Sequence, residues 1–160
     1  MFRKMRRKNQ QLSFEQCQEV LNNGLSGVLA LSGDDGYPYA VPMSYVYDND
    51  SLYFHCAKSG HKIDAIKRDP KASFCIIDKD MVVPHEYTTY YRSVIVFGTI
   101  EIIENQQQIR YAIEKLALKY APNDTPDNRK DEIERAWDRL CMLKMNIDNI
   151  TGKQAKELVK

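Results

Sequence analysis

Short runs of β-forming residues closed by tight turn signals constrain this chain more than any other feature of its sequence. Gly27–Ser32 runs into Gly33-Asp34-Asp35-Gly36, and Tyr39–Tyr47 runs through Asp48-Asn49-Asp50 into Leu52–Ala57. Spacers this short join antiparallel neighbours, because a parallel return needs a crossover of roughly a dozen residues or more. Ala72–Ile77, Arg92–Ile103 and Leu143–Ile150 supply further strands, with Met81–Thr89 expected as a loop around Pro84. Gly98 inside the longest strand marks a bulge or a close approach. Pro42 gives up a ladder hydrogen bond, which places it at an edge, a bulge or an opening that a ligand fills.

The helices sit at the ends of this pattern. Ser13-Phe14-Glu15-Gln16 reads as a capping box, followed by an apolar face of Phe14, Cys17, Val20 and Leu21 and a stop at Gly24. His61–Arg68 is a short helix ended by Asp69-Pro70. Ile109, Ile113, Leu116 and Tyr120 recur at helical spacing up to Pro122, and Thr125-Pro126 opens another helix through Ile133, Ala136, Trp137 and Leu140. The expected class is mainly β (α+β), a small barrel or sheet of six or so strands with peripheral helices.

Length and charge narrow the class further. At 160 residues the chain makes about one domain, read here as a basic flexible arm over residues 1–12 and a single domain over residues 13–160. Lys+Arg is 23 against 22 Asp+Glu, a balance that argues against a nucleic-acid binder. Arg3, Lys4, Arg6, Arg7 and Lys8 concentrate five cations in the arm, so the remainder is slightly acidic. With no apolar run near the roughly 20 residues of a membrane span and no apolar segment after the basic start, a cytoplasmic protein is expected. Cys17, Cys56, Cys75 and Cys141 lie far apart in sequence without a C-x-x-C pair, which fits reduced, packed thiols and no metal site. Sixteen aromatics (ten Tyr, five Phe, one Trp) suit either a β-rich core or a surface that covers something flat.

The most informative stretch for chemistry is Leu52 to Lys62. A strand runs out into Lys58-Ser59-Gly60 and then starts a helix, whose first N–H groups are unpaired and whose dipole is positive there. Lys58, His61 and Lys62 add charge, the composition of a phosphate site or of a solvated helix cap. Neither a P-loop nor a Gly-x-Gly-x-x-Gly pattern is present. His55 lies in the preceding strand on the face of Tyr53 and Ala57. Arg92 and Ser93 open an otherwise apolar strand, positioned to hydrogen-bond a flat heteroaromatic edge or to pair with a surface acid.

Several blocks occur together in a familiar order. They are Tyr39-Ala40-Val41-Pro42-Met43-Ser44-Tyr45, Leu52-Tyr53-Phe54-His55, Gly60-His61-Lys62-Ile63-Asp64 and Asp69-Pro70. From Ser26 to Lys153 the chain resembles the split β-barrel flavoproteins related to pyridoxamine-phosphate oxidase. Tyr91 to Gly98 and Ile147 to Lys153 resemble the nitroimidazole-resistance branch. The resemblance implies a six-stranded split barrel and a homodimer with flavin mononucleotide (FMN) at each of two subunit interfaces. It implies that Pro42, Met43 and Ser44 line the isoalloxazine and that His55, Cys56 and Ala57 run beside the ribityl chain and ring. Lys58 belongs to the same turn, His61 and Lys62 would hold the phosphate, and Arg92 and Ser93 would reach the ring from a neighbouring strand. His55 matches the histidine considered reactive in that branch, so His55 and Arg92 are the expected catalytic pair.

The chain also departs from that pattern. The oxidases usually carry Arg-Lys where this chain has His61-Lys62, a basic residue at the start of the strand holding Ala40-Val41, and an Arg-containing C-terminal tail without counterpart here. These departures count against vitamin B6 oxidation, and flavin adenine dinucleotide (FAD) stays open beside FMN. The expected function is therefore a flavin-dependent oxidoreductase acting on nitroimidazole-type or other small electrophiles. A flavin- or haem-binding protein without such turnover is the alternative, with pyridoxamine-phosphate oxidase behind it.

Overall fold

The structure, a computed structural model, describes residues 1–159. Helix α1 (Phe14–Asn23) precedes β1 (Ser26–Ser32), β2 (Pro38–Ser44), β3 (Val46–Asp48) and β4 (Ser51–Cys56). Then come α2 (His61–Arg68), the long hairpin of β5 (Lys71–Val83) and β6 (Thr88–Ile102), α3 (Gln106–Tyr120), α4 (Pro126–Ala136) and β7 (Cys141–Gln154). The strands form one antiparallel sheet in the order β2-β1-β5-β6-β7-β4-β3.

The strand count differs from the expected six because the Tyr39–Tyr47 run breaks at Tyr45 into β2 and β3. These two strands are the opposite edges of the sheet, yet one residue separates them, so the sheet must curl until its edges meet there. Side chains of α3 hold the corner. The Tyr45 N–H donates to Tyr120 Oη (3.0 Å), and its carbonyl accepts from Lys119 Nζ (2.9 Å), so neither group pairs with a strand. The Tyr45 ring is fully buried, edge-on to Phe74 at 5.0 Å, with its hydroxyl donating to Leu21 O at 2.8 Å. On the far side of Tyr45 no ladder joins β2 to β4, and the barrel stays open along that seam.

Inside the curl, alternate residues of each strand meet: Leu29, Leu31, Phe54, Phe74, Ile76, Val94, Val96, Leu143 and Met145 are buried together, beneath Cys17, Val20 and Leu21 of α1. The capping box at Ser13 and Gln16 is present in both directions. A second cluster places Ala112 and Leu116 of α3 over Val46, Tyr53 and Met142. Gly98 fulfils both sequence expectations. The β6–β7 register shifts between Phe97 and Gly98, and a Cβ there would run into the Asn146 carbonyl.

Met81–Thr89 is not the expected loop. The β5–β6 ladder continues through Asp80↔Tyr91, Met81↔Tyr90 and Val83↔Thr88 and turns over Pro84–Glu86. This part of the hairpin projects beyond the core with most of its residues exposed, so it lacks the alternation that reveals a half-buried strand. β7 runs on to Gln154 past the expected end at Ile150, because the residues that alternate inward there are Gly152 and Gln154, which carry no apolar signal. At the other end of the chain, Leu12 is buried with its N–H on Gly152 O (2.9 Å), and Phe2 packs on Phe97 (5.3 Å between ring centroids).

Two stability outcomes follow from these contacts. Gly98→Ala must displace the Asn146 backbone, and its expected loss of about 2–4 kcal/mol is measurable by denaturant unfolding. Burial pulls the Lys119 ammonium down to about 8. Between about pH 8 and pH 10 the unfolded chain therefore holds a proton that the folded chain has released, and stability rises with pH over that window. The contribution is read as the difference between wild type and Lys119→Met, which should grow across the window. The variant serves as reference because the raised thiols of Cys17 (about 11) and Cys56 (about 12) pull the other way.

Candidate functional site

The open seam creates the first half of the site. The β3–β4 ladder ends its register at Val46↔Tyr53. Continued across Tyr45, that register would set Ser44 opposite His55, Met43 opposite Cys56 and Pro42 opposite Ala57. Instead β2 turns to pair with β1, with Pro42 opposite Val28, while remaining in contact with β4. A notch therefore opens between Pro42–Ser44 and His55–Ala57. Alternation divides its walls: Pro42, Ser44, His55 and Ala57 are exposed, whereas Met43 is buried and Cys56 is half-buried against the core.

The Lys58-Ser59-Gly60 turn stands at the end of this notch. Gly60 has φ 127° and ψ 176°, a backbone region essentially confined to glycine, and its conformation aims the start of α2 outward. No side chain caps the helix, and the first N–H returned to the turn is that of Asp64, on Gly60 O at 3.1 Å. The preceding N–H groups are free to receive an anion, with Lys58 exposed and Lys62 half-buried alongside. Donors and charge of this kind fit a phosphate monoester.

His61 is held from two sides. Its ring stacks on Tyr39 of β2 at 4.0 Å, and its Nε2 lies 3.5 Å from Asp34 Oδ2. Asp34 is itself paired with Arg68 Nη1 at 3.0 Å, and Arg68 Nη2 donates to the carbonyls of Ser32 (3.0 Å) and Gly33 (2.9 Å). The β1–β2 turn and α2 are thereby clamped together behind the anion-facing end of the helix.

Arg92 and Ser93 lie elsewhere. In β6, Arg92 pairs across to Gln154 at the C-terminal end of β7, whereas His55 pairs to Met142 near its N-terminal end. The twelve residues from Met142 to Gln154 amount to about 40 Å of strand. The Arg92 guanidinium is occupied on its own side: Nε and Nη2 donate to the buried Gln154 Oε1 (3.3 and 3.0 Å), and Nη1 is 3.7 Å from Asp78 Oδ2. Asp78 is the residue left over where the β5–β6 register shifts, and the bulge brings it to Arg92. Within one chain, then, the structure assembles Pro42, Ser44, His55, Ala57, Lys58, His61 and Lys62, and leaves Arg92 and Ser93 apart.

A groove of about 560 Å³ opens beyond Lys58, walled by Ile63, Ile103, Trp137, Leu140 and Cys141. Lys58 alone of the expected site residues lines it, so this groove is distinct from the notch at His55. Tyr39, Asp34, Asp78, Gln154 and Cys141 escape a sequence reading because each acts through strand register or a long-range contact. Only the acidic turn at Asp34, beside a strand that must approach α2, is a signal of any kind.

Fold and residues agree with what the chain is similar to. The sequence profile of the pyridoxamine 5′-phosphate oxidase family matches residues 13–154, and the chain belongs to that family. Among solved structures, a candidate 5-nitroimidazole antibiotic resistance protein of Bacteroides thetaiotaomicron is similar at TM-score 0.78 and 22% identity, over 90% of this chain and 86% of that one. A conserved hypothetical protein of Mycobacterium tuberculosis is similar at TM-score 0.83 and 19% identity, over 97% and 92%. An FAD and heme binding protein of Mycobacterium smegmatis is similar at TM-score 0.75 and 23% identity, over 93% and 74%. No curated protein matches the chain. Among the described residues, no helix is long and apolar enough to cross a membrane, and no cluster of three or more His, Cys, Asp or Glu is placed to hold a metal ion.

The strained turn offers a direct check. With nothing within 4 Å of its would-be Cβ, Gly60→Ala meets no steric obstacle and bears only the conformational cost of φ 127°, about 1–3 kcal/mol. Thermal unfolding should show that loss, and titration with inorganic phosphate should show weaker protection of the variant than of wild type.

Proposed function

We propose that this protein is a homodimeric, flavin-dependent oxidoreductase that reduces nitroimidazole-type or other small electrophiles. The observation that carries the reading is the division of the expected site between the two ends of β7. A flavin lying in the notch, with its phosphate on the Lys58–Lys62 turn, meets Arg92 and Ser93 only if a second copy supplies them. The outer face of the sheet supports this arrangement. Val28, Cys75 and Ile95 form one row across β1, β5 and β6, and Val28 (39%), Ile95 (36%) and Ile77 (65%) remain exposed on it. An apolar row spanning three strands is suited to burial against its own copy.

The first-turn N–H groups of α2, with Lys58 and Lys62, fit a single phosphate, and His61, clamped by Asp34 and Tyr39, flanks it. That makes FMN the cofactor of this reading, although similar folds include proteins described as binding FAD. When bound, the flavin would supply the two-electron transfer. His55, exposed at the lip of the notch, is placed to give a proton to an oxygen of a substrate stacked there. Arg92 of the second copy, its guanidinium fixed by Gln154 and Asp78, stabilises negative charge developing at the ring or substrate. The buried orientation of Met43 confines its part to shaping the notch floor.

A visible spectrum of the purified protein tests the cofactor: flavin bands are expected, and a Soret band in their place would overturn the reading. Subunit sharing is tested by mixing Lys62→Ala and Arg92→Ala chains. Each variant alone should bind FMN at least tenfold more weakly, and random mixing should restore wild-type affinity in about a quarter of the sites. Additive loss without restoration would place both residues in one subunit. With flavin bound, His55→Ala should lower the anaerobic rate of nitroimidazole reduction by about 10²-fold at unchanged flavin content.

A further inference from the structure

Two of the four cysteines, 85 positions apart in sequence, are brought face to face. Cys56 closes β4 and Cys141 opens β7, and the two are directly opposed in the antiparallel ladder. Residues so opposed point to the same side of the sheet. Here that side is the core, which Cys56 and Cys141 both join at its lower rim. The Cα separations of opposed antiparallel residues, about 4.5 or 5.5 Å depending on the hydrogen-bonding class, both fall within the span a disulfide bridges. Cys17, on the buried face of α1, and Cys75, in the outer row of β5, have no such partner.

The geometry points to Cys56 and Cys141 as a redox-active dithiol that hydroperoxides convert to an intramolecular disulfide. The groove beyond Lys58 supplies the access, since Cys141 lines its floor while Cys56 sits behind it. Lys58, Lys67, Glu104 and Asp138 line the same groove, a polar approach that a small hydroperoxide can enter. Burial and the adjacent Cys141 sulfur hold the Cys56 thiol up at about 12, which leaves the first attack to Cys141. The Cys141 sulfur attacks the distal peroxide oxygen, forming an S–O bond as the O–O bond breaks, and the other oxygen leaves as hydroxide or alkoxide and takes up a proton, giving a sulfenic acid and water or an alcohol. The Cys56 sulfur then attacks the Cys141 sulfur, a second water leaves, and the S–S bond forms. Two thiols have lost two electrons and two protons, and one peroxide has been reduced.

The cross-link would pin the end of β4 two residues before Lys58, at the root of the turn that launches α2. Its formation requires no cofactor, so it stands or falls apart from the flavin reading. The test is titration of the full chain with hydrogen peroxide, followed by thiol counting, intact mass and peptide mapping. Free thiols should fall from four to two, the mass should fall by two hydrogens, and one peptide pair should join Cys56 to Cys141, all reversed by dithiothreitol. The Cys17→Ser, Cys75→Ser double variant keeps the pair and should behave as wild type, which guards against misreading a poorly folded Cys56→Ser or Cys141→Ser chain. Oxygen added to single cysteines, a disulfide through Cys17 or Cys75, a cross-linked dimer, or four thiols surviving excess peroxide would each overturn the assignment.

Discussion

The fold depends on the corner at Tyr45. A seven-stranded sheet whose two edge strands are consecutive in the chain has to curl, and the curl has to be locked where the edges meet. Tyr45 does this with its whole residue. Its ring fills the core against Phe74, its hydroxyl reaches α1 through Leu21 O, and its backbone N–H and C=O bind Tyr120 and Lys119 of α3. Lys119 also lies 3.8 Å above the Tyr45 ring and donates to Gly24 O at 2.5 Å, so one ammonium joins α3, the corner and the end of α1. Because the backbone of Tyr45 is satisfied by side chains, the ladder stops there at little cost in unpaired polar groups. The notch between β2 and β4 is the consequence.

The site inherits its shape from that interruption. Alternation along β2 and β4 sends Pro42, Ser44, His55 and Ala57 outward into the notch and Met43 and Cys56 inward to the core. The strained Gly60 then directs the start of α2 toward the end of the notch, and the Asp34–Arg68 clamp keeps it there. On the opposite flank, the bulge at Asp78 and the buried Gln154 hold Arg92 in one orientation. The notch with its turn, and the Arg92 flank, are each preorganised by contacts within the chain.

Much of this was legible locally. The α1 capping box, the span His61–Arg68 and the Gly98 irregularity depend on neighbours a few residues away, and the structure reproduces each. The phosphate-suited turn was legible too, because Lys58, Gly60, His61 and Lys62 are contiguous. The break at Tyr45 was not: its cause, Tyr120 and Lys119, lies some 75 residues downstream. The projecting hairpin is not legible because its β5 arm, exposed on both faces, shows no alternation, and the end of β7 is hidden because its inward residues there are Gly152 and Gln154. The cysteines looked isolated, since only the β4–β7 register places Cys56 opposite Cys141.

The sequence by itself determined a β-rich domain with terminal helices, an anion-suited strand-to-helix turn and a family resemblance that the matching profile bears out. Those properties rest on short-range patterns: periodicity, capping, turn chemistry and contiguous motifs. Only the tertiary structure decided that the strand through Pro42 splits at Tyr45, that His55 and Arg92 stand at opposite ends of β7, and that Cys56 meets Cys141. Each of those is a matter of strand register and long-range pairing, set by which buried faces fit together and not by any local preference.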